Sequence, residues 1–384
     1  MEKIKLGDLC NPCQGQIKVQ PGTIIDYIDI SSIDNNSKTV SGYQTMTFAE
    51  APSRARKAVK KGNILVSTVR PNLNAVAIVE DATPNMTVAS TGFCVLDCKE
   101  NVDKRFVFNF CKSKAFIDEM VAQATGASYP AVSDKIVRAA LVPSYSFHDQ
   151  IKIGEILDKV SLIIAKRKSE LTYLDNLVKA RFVELFGDPV SNPKGWEKKA
   201  LSDEAEIKIG PFGSLLHKED YIAGGHALVN PSHIVDGKIL PDDKLTVSDE
   251  KYDELSAYHL RIGDVVMGRR GEMGRCAVVE QVGLLCGTGS LLIRTNGDLS
   301  ADYIQKIISF PSFKRTIEDM AVGQTMSNLN VPIVSSFQII KPPKSVQDQY
   351  YAFVAQVDKS KAVIQKSLEE AQLLFDSLMQ QYFG

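Results

Sequence analysis

Two long stretches of the chain place apolar residues at alternating spacings of three and four. The earlier runs Leu157, Val160, Ile164, Arg167, Leu171, Leu174, Val178, Arg181 and Leu185. The later runs Val354, Val357, Lys361, Ile364, Leu368, Ala371, Phe375, Leu378 and Tyr382. Such spacing is a heptad seam and predicts long helices over residues 148–187 and 345–384. Neither seam is broken by proline or glycine over about 30 residues, so each helix could extend about 45 Å. Arg167 and Lys361 sit on the seams, where polar residues fix register and partner choice at some cost in stability. With no other obvious partner, the two seams are expected to pack on each other. Leftover faces, such as Phe182 with Leu177, would then be free to dock a second protein.

The first helix is expected to stop at Gly187, and Pro189 prevents its resumption. Residues 190–195, rich in Ser, Asn, Pro and Gly, predict a linker, after which Trp196 opens a new globular stretch. Outside the helices the apolar runs are short and strand-like: Thr23 to Ile30, Asn63 to Val69, Ala75 to Glu80 and Gly92 to Asp97. A helical stretch follows over Arg105 to Ala122, and again over Asp302 to Ala321. The pattern predicts an α+β protein.

The later half repeats the earlier one at an offset of about 197 residues, too long for a solenoid. Aligning Ser90-Thr91-Gly92 with Gly287-Thr288-Gly289 brings Phe106 to Tyr303, Phe116 to Phe313 and Gly126 to Gly323 without a gap. Gly62-Asn63-Ile64-Leu65-Val66 matches Gly263-Asp264-Val265-Val266-Met267, and both halves finish on Phe-Gly at Phe186-Gly187 and Phe383-Gly384. A duplicated chain implies a pseudo-two-fold molecule suited to a bipartite target, with the two helices antiparallel. The expected layout is two globular domains, 1–147 and 188–344, joined by helices 148–187 and 345–384.

Composition alters this picture little. The 384 residues carry 45 Lys and Arg against 46 Asp and Glu, a net charge of −1. That argues against a protein gripping nucleic acid alone, because such proteins usually carry a basic face. No run of about 18 apolar residues suggests a membrane span, and the opening Met1-Glu2-Lys3-Ile4-Lys5 lacks a signal-peptide core, so a cytoplasmic protein is expected. The 7 cysteines fit free thiols in a reducing compartment. Cys10 and Cys13, with Cys94 and Cys98, have an approximate metal-ligand spacing, but the second pair lies in a strand-like stretch, so no metal is expected.

Polar loops between the repeated strands are the candidates for function. Ser67, Thr68, Arg70, Asn72 and Asn74 lie on one, and its counterpart holds Arg269, Arg270 and Arg275. A second set holds Ser128 and Tyr129, matched by Gln324, Thr325, Ser327 and Asn328. A third, Gly210-Pro211-Phe212-Gly213-Ser214, offers Phe212 and Ser214; residues 14–16 stand at its place in the first half. Arginine pairs bidentately with guanine O6 and N7, and asparagine or glutamine with adenine N6 and N7, so these residue types suit base readout. The loops differ in sequence while their flanking strands agree, which is one scaffold presenting two different readers.

The strings Leu185-Phe186-Gly187-Asp188-Pro189 and Asn192-Pro193-Lys194-Gly195-Trp196, with Gly210-Pro211-Phe212-Gly213-Ser214 and the Gly-Asp-Val-Val and Gly-Asn-Ile-Leu strand openings, resemble the specificity subunit of Type I restriction–modification enzymes. The resemblance spans the chain, although the first half lacks the Gly-Pro-Phe-Gly-Ser string. It implies two target-recognition domains reading two half-sites of double-stranded DNA, with the helices as a ruler. It also implies binding of two methyltransferase subunits, with restriction or translocase subunits joining that core.

No Asn/Asp-Pro-Pro-Tyr/Phe motif or phosphate-binding Gly-Lys-Ser/Thr loop occurs, so neither a methyltransferase nor a motor is expected, and no cofactor. Asp242, Asp249 and Lys251 have a loose nuclease-like spacing that reads better as a solvated loop. The competing readings are a stand-alone DNA-binding scaffold or regulator, or the recognition subunit of another methylation system.

Overall fold

The computed structural model describes residues 2–13, 15–80, 83–321 and 329–384. Helices and strands both contribute throughout, so the chain is a mixed α and β protein. It divides into two compact units, Met1–Tyr173 with Lys361–Gly384, and Leu174–Ser360. Two helices of 40 residues, Phe147–Phe186 and Lys344–Phe383, each begin in one unit and end in the other.

In the first unit, Phe93–Leu96, Ile64–Ser67 and Val76–Ile78 are adjacent antiparallel strands of one sheet. Ile24–Ile28 runs parallel to Met86–Ser90 in a second sheet. Lys3–Lys5 pairs with Leu141–Pro143. The helices Lys104–Lys112 and Lys114–Gln123 cover the first sheet, and Phe106, Phe110 and Phe116 are buried there. The end of the second long helix completes this core: the Phe383 ring lies 5.2 Å from Phe106 and 5.9 Å from Phe110.

The second unit has the same kinds of parts. Ser290–Thr295, Val265–Gly268 and Cys276–Val278 are adjacent antiparallel strands. His226–Val229 runs parallel to Leu285–Cys286, and Glu197–Ala200 pairs with Gln338–Lys341. Here the end of the first long helix closes the core, with Phe186 5.1 Å from Tyr303 and 5.3 Å from Tyr350. Arg181 meanwhile lies over Phe353. The last turns of one helix therefore run against the first turns of the other. Burying each of these rings stabilises by roughly 1.5–3 kcal/mol.

Burial along the long helices follows the seams. Leu157, Val160, Ile164 and Val357 are buried and the other seam positions are half-buried. Leu162, Tyr173, Val363 and Leu373, off the seams, are at least 70% exposed. Phe182 corrects an expectation. It is 3% exposed and packs on Phe186, Tyr303, Phe310 and Tyr350, so it belongs to the core and cannot dock another protein; Leu177 does stay exposed. The single helices expected after each sheet are also corrected, because each is two. Ser113 adopts extended backbone and its hydroxyl accepts the Phe116 N–H, starting a new helix. In the second unit Pro311, without an N–H to donate, opens the second segment.

The expected linker at 190–195 is a tight turn. Asn192 takes a left-handed backbone, φ 49°, and its side chain both accepts the Trp196 N–H and donates to the Trp196 carbonyl. The Trp196 indole donates to the Phe186 carbonyl at 3.0 Å, which ties the new stretch to the helix end.

Candidate nucleic-acid interface

In the first unit the strand Ile64–Ser67 leaves its sheet and the chain turns back at Val76. The Thr68 N–H donates to the Gly92 carbonyl, its carbonyl accepts the Val132 N–H, and the Arg70 N–H donates to the Pro130 carbonyl at 2.7 Å. These bonds fasten loop 67–74 to loop 125–131, itself closed by reciprocal bonds between Thr125 and Ala131. Gly126 makes that closure possible, because its φ of 103° and the nearby Tyr129 carbonyl leave no place for a Cβ. The result is one surface carrying exposed Arg70, Asn72, Ser128 and Tyr129. The Arg70 guanidinium stacks 5.0 Å from the centre of the Tyr129 ring, which is 69% exposed. Stacking of this kind holds the guanidinium plane while its edge donors remain available.

Not every residue read from this loop is presented. Ser67 exchanges hydrogen bonds with the Val69 backbone, and the Thr68 hydroxyl donates to the Gly92 carbonyl. The Asn74 amide donates to the Cys111 carbonyl at 2.9 Å, and the Asn74 carbonyl accepts from Lys38. All three side chains are buried. They hold the loop, and base contact would cost them those bonds.

The second unit repeats the fastening with other side chains. The Arg269 N–H donates to the Gly289 carbonyl, and the Arg269 carbonyl accepts the Leu329 N–H. Arg269 also turns its Nε back to the Leu329 carbonyl, and burial followed by the Arg270 charge lowers its pKa. Arg270 is exposed. Arg275 is committed internally, to Glu272 at 2.6 Å and to the Pro231 carbonyl; Arg275 and Lys314 in turn hold the Glu272 carboxyl below its ordinary pKa. Phe212, 61% exposed, and Ser214 lie on the third loop, which the Thr288 hydroxyl pins by donating to the Pro211 carbonyl. The close approach of Gly210 to the Gly287 carbonyl leaves no room for a side chain there.

These loops border an open pocket of about 300 Å³ lined by Ile209, Phe212, Arg269, Arg270, Thr288 and Gly289. The sequence reading named the two arginines and Phe212. It missed Ile209, Thr288 and Gly289, although the small polar residue between two glycines in Gly287-Thr288-Gly289 marked a close backbone approach. Gln324, Thr325, Ser327 and Asn328 lie outside the described residues. Asp249, from the nuclease-like spacing, pairs instead with His226 at 3.0 Å. Among the described residues no cluster of metal-ligating side chains occurs and no helix is long and apolar enough to cross a membrane.

Two units that fasten exposed polar loops by matching backbone bonds define the class of arrangement, and the comparisons with known proteins give it a family likeness. Residues 193–373 match the Type I restriction modification DNA specificity domain. The chain is 23% identical to the Type I restriction enzyme HindI specificity subunit of Haemophilus influenzae, over 90% of either chain. It is 21% identical to the MjaIX specificity subunit of Methanocaldococcus jannaschii, over 88% of this chain and 80% of that one. Its fold is shared with a chain from a structure of type I R-M complex assembly and conformational transition, at TM-score 0.64, 22% identity and coverage of 100% and 97%. A Type I restriction–modification S subunit from M. genitalium aligns at TM-score 0.59 and 14% identity, covering 100% and 96%. The chain thus resembles Type I specificity subunits in sequence over 88–90% of its length and in fold over all of it.

Proposed function

We propose that this protein is the DNA-reading subunit of a Type I restriction–modification complex. Domains 1–147 and 188–344 arose by internal duplication and each reads one half of a bipartite target. The helices at 148–187 and 345–384 lie antiparallel, coiled-coil fashion, and set the spacing between the halves. The observation that carries this reading is the repeated fastening at Thr68 and Arg269: the same backbone bonds to Gly92 and Gly289, and to Val132 and Leu329, hold up different exposed side chains. Phosphate contacts position a protein and base-edge contacts specify sequence, so changing side chains on a fixed backbone changes what is read.

The chain works in recognition, and catalysis belongs to its partners. Two methyltransferase subunits dock on it, and restriction subunits join that core. Support comes from the exposed apolar side chains off the helix seams, since such surface commonly marks protein interaction. Partners that share the phosphate contacts also account for a net charge of −1, because sequence-independent affinity then need not come from this chain.

The test is to exchange residues 196–344 for those of another specificity subunit and map methylation in cells carrying cognate methyltransferase subunits. One half of the methylated motif should change while the other half and the spacer stay. Inserting a heptad between Ile164 and Leu174 should change the spacer alone. Base identity altered by the insertion, or no methylation dependent on this chain, overturns the reading.

A further inference from the structure

At the edge of the first unit's core, Cys10 and Cys98 face each other on antiparallel backbone. The Asn11 N–H donates to the Asp97 carbonyl at 2.7 Å and the Lys99 N–H to the Leu9 carbonyl at 3.0 Å. Those bonds flank the cysteines and leave them as a non-hydrogen-bonded pair. Such pairs have the closer spacing of an antiparallel ladder, with Cα atoms about 4.5 Å apart, inside the span of about 4.4–6.8 Å that a disulfide accepts. Both cysteines are free thiols.

The two thiols interact electrostatically across this pairing. The neighbouring Cys98 thiol, with burial opposing it and the Arg138 charge assisting, sets the Cys10 pKa below the ordinary thiol value, while Cys98, beside Cys10 and buried, is raised. Access is asymmetric. Cys10 is 2% exposed, whereas Cys98 is partly exposed and lines a groove of about 330 Å³ with Lys61, Lys99 and Lys104, and with Asp97 and Asp103. Three lysines against two aspartates leave the groove net positive beside the sulfur, which favours an anionic reagent.

We propose that Cys10 and Cys98 are a redox-modification site, closing to a reversible disulfide by exchange with an anionic low-molecular-weight disulfide such as oxidised glutathione. The pair first loses one proton to solvent. The Cys98 sulfur attacks the small disulfide while its proton moves to Cys10, giving a Cys98 mixed disulfide and one released thiolate. Cys10 then loses its proton and attacks the Cys98 sulfur, expelling the second thiolate. Two protein thiols are oxidised, one small disulfide is reduced to two thiols, and the protons balance. The bond would fasten the N-terminal segment, whose Asn11 carbonyl already accepts from Arg138 at 2.7 Å, to the chain just before the helix Lys104–Lys112. In the second unit the strand pair at the corresponding place is Ala205 with Thr295, which cannot be bridged.

The test uses the full chain equilibrated in glutathione buffers from reducing to oxidising, with free thiols trapped by maleimide before digestion and mass spectrometry. The expected result is joint loss of the Cys10 and Cys98 thiols with a linked peptide pair, reversed by reduced glutathione. C10S and C98S should each abolish the link and C13S should leave it. Oxidation should slow amide exchange in residues 3–11 and leave the second unit unchanged. The proposal fails if both thiols stay alkylatable in the most oxidising buffer. It fails equally if Cys98 stops at the mixed disulfide with Cys10 free, or if exposed Cys13 is the partner of either.

Discussion

The two units support the strands that lead into their candidate loops at one shared point with opposite chemistry. In the first, Asn63 accepts the Lys60 N–H and donates to Asp97 at 3.0 Å. In the second, Asp264 accepts the Arg261 N–H and forms a bidentate pair with Arg294, at 2.7 and 2.8 Å. Asn63 and Asp264 are 4% and 2% exposed, so each needs its partner. A neutral amide beside a carboxylate stands where the other unit has a carboxylate beside a guanidinium. Both units have a satisfied buried group at the strand opening, met by different residues. The candidate loops differ in the same way one step outward, where side chains such as Arg70 and Arg270 are exposed.

That comparison breaks most easily in the core. F186A should destabilise the second unit and F383A the first, each by about 3–5 kcal/mol, seen by hydrogen exchange resolved along the chain. If F383A loosened only residues 174–360, the pairing of helix ends with cores would be wrong. Next, R294A should cost about 3 kcal/mol by stranding the Asp264 carboxylate, and N63A somewhat less, about 1–3 kcal/mol, in denaturant unfolding. Installing the first unit's pair in the second, D264N with R294D, should recover part of the loss of either single change. No recovery would mean that the two sites are not interchangeable.

At the loops, R70A and R270A should each weaken DNA binding by about 1–3 kcal/mol and relax one half-site only, measured with targets altered in one half. N74A should instead lower stability without half-site preference, since its amide is bound to Cys111. An effect seen only at high pH is expected at Lys112, which sits over the rings of Phe108 and Phe375. Burial brings its pKa down to about 8. The folded state therefore disfavours the charged lysine, a cost fully present below pH 8 and gone above the unfolded value near 10.5. First-unit stability should rise by about 3 kcal/mol across that window, and K112M should remove the rise. Ser309 holds the matching place in the second unit, so no such rise is expected from it there.

Much of the local structure was legible. The strands at Ile64–Ser67, Val76–Ile78 and Phe93–Leu96 fall within the short apolar runs, trimmed at the ends, and the helix seams fall on buried or half-buried positions, although Phe182, Phe186, Met379 and Phe383 are buried off them. At the candidate site, residue type pointed to Arg70, Arg270 and Phe212, which are exposed. It pointed equally to Ser67, Thr68 and Asn74, which are buried. A polar side chain in a loop satisfies itself on the nearest backbone group or on a ligand, and the sequence does not distinguish the two. Ser113 misled for a related reason, because a serine within a helical pattern can continue the helix or cap a new one.

What the sequence determined alone was periodicity: which faces must be buried, where elements stop, and that one set of elements recurs. Periodicity states that a face needs cover without naming what covers it. Only the tertiary structure decided that Phe383 meets Phe106 while Phe186 meets Tyr303, that Phe182 lies inside, and that Cys10 faces Cys98. Apolar burial is non-directional, so the choice among equally greasy partners falls to the geometry of the assembled chain.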